Sequence, residues 1–137
     1  MRDDNCIFCK IINGDIPSYT VYEDDDFKCI LDVGPAAKGH TLILPKNHYA
    51  NVMELPEETT AKAFTLAKKL AAHIQTSLNA DGVNILQNNN EAAGQTVFHF
   101  HIHVIPRYDT PENKSIITWK QNSFPAEEMQ EVLEKLV

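Results

Sequence analysis

The chain has 137 residues, 43% of them apolar, and a formal net charge of −7. This length suits one domain, which buries about two-thirds of its unfolded surface. The acidic balance argues against a general nucleic-acid coat, which needs a basic surface, but leaves room for a small anion in a local pocket.

No apolar run approaches the roughly 18 residues of a membrane span. Met1–Cys6 lacks the basic start and apolar stretch of a secretory signal, so a cytoplasmic location is expected. Residues 6–13, Cys6-Ile7-Phe8-Cys9-Lys10-Ile11-Ile12-Asn13, are dense in large apolar side chains, and Gly14 follows as a helix stop, which predicts a short helix ending near Asn13. Tyr19–Glu23 and Phe27–Asp32 are β-prone and predict a hairpin. Its tip, Asp24-Asp25-Asp26, reads as a solvated turn rather than a metal site. Val33–Gly39 is a loop by its Gly and Pro content, and His40–Lys46 is a third strand ending at Pro45. Pro56-Glu57-Glu58 opens a long helix, with Pro and acids where a helix start favours them. Along it Phe64, Ala67, Leu70, Ala71, Ile74 and Leu78 recur at helical spacing and should face the core, with His73 off the stripe at the surface.

Asn79–Gly82 ends the helix, Val83–Gln87 is a fourth strand, and after the loop Asn88–Gln95 a fifth strand is predicted from Thr96 to Pro106. Residues 107–122 are polar and irregular around Ile116, Ile117 and Trp119. Ser123-Phe124-Pro125 starts a final amphipathic helix with Met129, Val132, Leu133 and Leu136 on one side. The order predicts a single α+β domain, an antiparallel sheet with helices on one face.

Within the fifth strand His99-Phe100-His101-Ile102-His103-Val104-Ile105 alternates strictly. Successive side chains of a strand point to opposite faces, so Phe100, Ile102 and Val104 should enter the core while His99, His101 and His103 line a site. At roughly 3.3 Å per residue the outer two histidines are about 13 Å apart along the backbone. Two neighbouring imidazoles can converge on one metal, but three hardly can. The row therefore reads as a track along an extended ligand.

The chain has three cysteines, an odd number that argues against a disulfide scaffold. Cys29 stands in an apolar run and is expected in the core, while Cys6-x-x-Cys9 alone is weak as a metal or redox motif.

These motifs resemble the histidine triad (HIT) family. The likeness rests on His99-x-His101-x-His103 and extends to Cys6–Ile12, Tyr22–Asp25, Leu31–Val33, Pro35–His40, Pro45–His48 and Gly94–Val97, in order, over residues 5–107. It is closest to the bacterial, Hint-like members. Gly94–Val97 and Val104–Arg107 also resemble the dinucleoside polyphosphate hydrolase branch.

The resemblance implies a HIT-like fold: a five-stranded antiparallel sheet with a long helix and short terminal helices, continued across a homodimer. Residues 5–107 would form the core and 108–137 a C-terminal extension. It implies a purine mononucleotide of the AMP or GMP type bound between sheet and loops. His101 would be the nucleophile at the α-phosphate of a nucleoside phosphoramidate or related compound, giving a nucleotidyl-histidine that water opens. A neutral imidazole near pH 7 has the free lone pair this needs. His99 and His103 would complete the catalytic row, with His103 on phosphate oxygens or the leaving group and Thr96 beside the leaving group. Asp32 would accept the ribose hydroxyls, and Asn88, Gly94 and Gln95 would meet the nucleotide. Ile7, Phe8, Ile30 and Val33 would sandwich the base. Read from the residues alone, these four are core positions, and for Ile30 the two roles weigh equally. Trp119 would reach the partner's site, or sit in the core or at the surface.

The resemblance also implies a structural zinc held by Cys6, Cys9, His48 and His99, a closed Cys2His2 set. The other arrangement, using His99 and His101, would occupy the nucleophile. Dinucleoside polyphosphate hydrolysis, or nucleotide binding with residual catalysis, are the competing functions.

Overall fold

The computed structural model describes residues 2–111 and 120–137. Expectations placed on Ile116, Ile117 and Trp119 lie outside the described residues. A short helix α1 (Ile7–Ile12) opens the chain, capped by Cys6 at its start and by Asn13 at its end. Strands β1 (Thr20–Glu23) and β2 (Phe27–Leu31) form the hairpin, then β3 (Thr41–Pro45), the long helix α2 (Glu57–Ser77), β4 (Gly82–Leu86), β5 (Ile102–Arg107) and α3 (Ala126–Leu136). The strands make one antiparallel sheet in the order β1-β2-β3-β5-β4.

The hairpin tip is the predicted turn: Asp24 Oδ1 accepts from the backbone N–H of Asp26 at 2.8 Å and of Phe27 at 2.7 Å. The centre of the sheet is buried on both faces. Cys29 and Ile43 join Phe100, Ile102 and Val104 against Ala63, Ala67, Leu70 and Ile74 of α2. Ile30, Leu42 and Leu44, the alternate residues of the same strands, pack with Phe8, Cys9 and Ile11 of α1. The helices therefore cover both faces, not one. Burial on both sides is why β3 reads as an unbroken apolar run.

Two further expectations change. The buried line of α2 is Ala63, Ala67, Leu70 and Ile74, while Phe64 and Leu78 are about half exposed, at 43% and 45%. The small alanines let the helix lie close to the sheet, and the larger side chains fall to its flank. The fifth strand starts at Ile102 rather than Thr96. Continuing the β3–β5 register would set Phe100 opposite Pro45, which has no N–H to donate. The Pro45 carbonyl is instead taken by the ring of His99 at 2.8 Å, and the Phe100 N–H goes to the Tyr49 carbonyl at 2.6 Å.

α3 buries none of its side chains among the described residues. No helix in the described residues is long and apolar enough to cross a membrane.

Candidate active site

The alternation of the histidine segment does what the pattern predicts. Phe100, Ile102 and Val104 are fully buried on the α2 face, and the three histidines turn to the α1 face. Those histidines are not lined up in the open, however. His99 is fully buried and His101 nearly so, because Phe8 packs edge-on against both rings, at 5.9 and 5.1 Å between centroids.

Hydrogen-bond partners fix which nitrogen of each ring carries the proton. His101 Nδ1–H donates to the His99 carbonyl at 2.7 Å, which leaves Nε2 with the lone pair. His40 Nδ1 accepts the Ala36 N–H at 3.0 Å, so its Nε2–H donates to His103 Nδ1 at 2.9 Å. The free proton of His103 is then on Nε2. Its ring lies 4.9 Å from that of His101, so a hydrogen-bond donor stands beside a base.

Burial holds His40 and His101 below the usual imidazole range and pushes His103 down to about 4. The neighbouring His101 and His40 lower His103 further, while Asp32 opposes the shift. All three rings are neutral at pH 7.

His40 is a fourth histidine that the alternating pattern does not contain. Its sequence cues are its place after Gly39 at the head of an apolar strand and at the end of the Pro35–His40 landmark, neither of which gives it a role. Gly39 has φ +93°, and a Cβ there would press on the Leu78 side chain and sit 3.2 Å from Pro106 Cγ, so the loop can turn His40 inward only with glycine.

Asp32 lies at the same end, half-buried, with Oδ1 accepting the Gly34 N–H at 2.8 Å and Oδ2 3.6 Å from His40 Nε2. Thr96 is exposed and lines a cavity of about 300 Å³ with Asp3, Asn5, Cys6, Ile7, His48, Val97 and Phe98. Ile7 and Val33 are exposed at 48% and 85%, whereas Phe8 and Ile30 are buried in the α1-side core.

Gln95 is buried and spent on the backbone: its Oε1 accepts the Asn90 N–H at 2.7 Å, and its Nε2 donates to Ala50 and Val97 carbonyls. These hydrogen bonds pin the loop. Asn88 is half-buried, and a Cβ at Gly94, which has φ +91°, would lie 3.7 Å from its side-chain nitrogen. A larger groove of about 550 Å³ between α2 and the β1–β2 hairpin includes Tyr22, Leu66 and His73 but none of these residues.

Among the described residues two groups of His, Cys, Asp or Glu come within metal-binding reach. The first is Cys6, Cys9, His48 and His99. Cys6 Sγ and Cys9 Sγ lie 3.4 and 3.6 Å from His99 Nδ1, Cys9 Sγ lies 3.4 Å from His48 Nδ1, and the two Nδ1 atoms are 3.2 Å apart. A tetrahedral zinc with bonds of roughly 2.3 Å to sulfur and 2.05 Å to nitrogen gives edges of about 3.5 Å and 3.3 Å.

His99 Nε2–H is committed to Pro45, so its Nδ1 presents a lone pair to this space, as a ligand must. Burial pushes the Cys6 thiol up in the absence of a cation. The donor set and its spacing fit zinc, and His101 is outside it.

The second group, Asp32, His40 and His103, is already closed by the 2.9 Å hydrogen bond between its two rings. It reads as a proton-ordering chain.

The HIT domain family profile matches residues 13–110. A Bacillus subtilis relative, Protein hit, is 44% identical over 94% of this chain and 90% of its own length. Adenylylsulfatase HINT3 of Arabidopsis thaliana is 45% identical over 75% of this chain and 52% of its own. The crystal structure of a Bacillus subtilis HIT family member superposes with a TM-score of 0.87 at 42% identity, covering 97% of this chain and 95% of that one. A histidine triad nucleotide-binding protein from Candida albicans gives 0.83 at 34% identity, covering 96% and 94%. A zinc-bound histidine triad family protein from Mycobacterium smegmatis gives 0.76 at 36%, covering 96% and 95%. With the histidine row, its neighbouring donors and the sheet all in place, the chain belongs to the HIT family.

Proposed function

We propose that this chain is a nucleotidyl hydrolase that cleaves at the α-phosphate of nucleoside phosphoramidates or related compounds and releases a nucleoside monophosphate. The observation that carries the reading is the ring of His101. It is neutral and buried, its Nδ1–H is held by the His99 carbonyl at 2.7 Å, and its Nε2 lone pair is left to attack.

In the first step Nε2 forms a bond to the α-phosphorus as the bond to the amine or other leaving group breaks. The leaving group takes its proton from solvent water, while His103 Nε2–H donates a hydrogen bond to the leaving atom and the Thr96 hydroxyl helps position it. In the second step water attacks the same phosphorus and gives a proton back to solvent, while the P–N bond breaks and its electron pair returns to His101 Nε2. Donors aimed at charge that develops on the phosphate are worth more in a dry site than in water. Asp32 accepts the ribose hydroxyls, Ile7 and Val33 offer exposed apolar surface to a purine base, and Asn88 and Gly94 border the phosphate side.

Support for a hydrolase also comes from the name of the Arabidopsis relative, an adenylylsulfatase. A phosphate–sulfate anhydride presents the same α-phosphorus, so adenylyl sulfate is the second substrate class.

Cys6, Cys9, His48 and His99 hold a structural zinc in this reading. When bound, it supplies a closed charge-neutral anchor and no reacting group. The anchored His99 is the residue whose carbonyl holds His101. The protein is read as a homodimer that continues the sheet; β1 and β4 are its outer strands among the described residues. Free cysteines spent on zinc suit the reducing cytoplasm.

A screen of nucleoside phosphoramidates, adenylyl sulfate and dinucleoside polyphosphates, with His101→Ala as control, tests the function. Phosphoramidates should turn over fastest, and the variant should lose at least about a thousandfold in kcat while still binding the monophosphate. Full turnover by His101→Ala would rule the mechanism out. Metal analysis should give one zinc per chain, and less than one per two chains would count against the zinc.

A further inference from the structure

We infer that Asp3 is a positioning residue of the zinc centre, acting through His48 and Cys9; the inference rests on the zinc reading above. Three contacts place it. The Asp3 N–H donates to Cys9 Sγ at 3.4 Å. Its carbonyl accepts the Cys6 N–H at 3.1 Å, and its Oδ1 accepts the Asn5 N–H at 2.9 Å, so the residue is folded back over the start of α1. That leaves Oδ2 facing His48 Nε2 at 3.9 Å, just beyond hydrogen-bond distance, with the carboxylate half exposed and the histidine largely covered.

The chemistry follows from the ligand atoms. His48 turns Nδ1 toward Cys9 Sγ and His99 Nδ1, so when Nδ1 ligates, the ring proton is on Nε2, the atom beside Asp3. A carboxylate at that position fixes the tautomer and makes the imidazole a stronger ligand. His99 has its own outer partner in the Pro45 carbonyl at 2.8 Å. Asp3 fills the matching place for His48. Its backbone N–H adds a hydrogen-bond donor to the Cys9 sulfur. Arg2, which pairs with Asp15 at 2.7 Å, ties the same segment down on the far side of α1.

The test measures zinc affinity by competition with a chromogenic chelator for the wild type, Asp3→Asn and Asp3→Ala. Asparagine keeps an oxygen for the Asn5 N–H and removes the charge. Binding should weaken about tenfold or more in Asp3→Asn and further in Asp3→Ala, and the His48 Nε2–H resonance in ¹⁵N spectra of the zinc-loaded protein should move upfield in Asp3→Asn. Unchanged affinity in both variants overturns the proposal. So does a loss confined to Asp3→Ala, since the turn alone would then matter. A wild type that takes up no zinc overturns the zinc reading and this inference with it, whereas tight wild-type binding with an unaffected Asp3→Asn overturns only the role of Asp3.

Discussion

His103 sits at the meeting point of the site's electrostatics. It is packed by His101 and accepts a hydrogen bond from His40, with its pKa pushed down to about 4 by burial first and those two rings second. A histidine whose folded pKa lies below its unfolded value binds more protons when unfolded. Its contribution to stability is full above pH ~6.5 and is lost as pH falls toward the folded value of about 4. The size is on the order of 3 kcal/mol as an upper bound. Urea midpoints at pH 7 and pH 5 should therefore differ more in the wild type than in His103→Asn. Equal slopes in the two proteins would contradict the buried neutral ring.

At the same scale, the alternating pattern placed His101 and His103 on the face opposite Phe100, Ile102 and Val104, and the family likeness is the source of the jobs proposed for them. The tautomers were legible in neither, because they depend on the Ala36 N–H, the His99 carbonyl and His40, none of which belongs to the pattern. Gln95 lies in a family landmark, yet its hydrogen bonds show a loop pin that no spacing rule reveals.

At the scale of elements, a glycine and a proline shape the site. Gly39 lets the chain enter β3 with His40 turned inward, at φ +93° and under the cover of Leu78 and Pro106. Gly39→Ala should cost at least about 1–2 kcal/mol from backbone strain alone. It should also reduce turnover, because His40 would be displaced. Chemical denaturation checks the first and initial rates the second; a stability change under about 0.5 kcal/mol would show that the loop tolerates a Cβ. Pro45 stops the β3–β5 ladder and hands its carbonyl to His99, which frees that residue to leave the histidine row and join Cys6, Cys9 and His48. The sequence suggested a strand from Thr96 because periodicity persists through 99–101, but it cannot register that the partner strand lacks an N–H there. The half-exposed Phe64 and Leu78 mislead in the same way: helical spacing marks a stripe, and which edge of it touches the sheet is decided by tertiary packing.

For the molecule as a whole, the sheet has two buried faces with different duties. The α2 face is plain apolar core, and the α1 face carries the Cys6, Cys9, His48 and His99 donor set together with His101, the proposed nucleophile. Hydrogen bonds order this face: the His99 carbonyl holds His101, and the Ala36–His40 chain orients His103. The proposed metal set and the proposed nucleophile share this segment without sharing a ring nitrogen.

The central claim is that catalysis runs through a covalent nucleotidyl group on Nε2 of His101. A single-turnover reaction with excess enzyme and a nucleoside phosphoramidate labelled at the α-phosphate, quenched in base to preserve a phosphorus–imidazole bond, tests it most directly. Label should appear on the peptide that contains His101 and decay as the monophosphate forms. Product formation with no label on the protein at any time, or label on another residue, would contradict it.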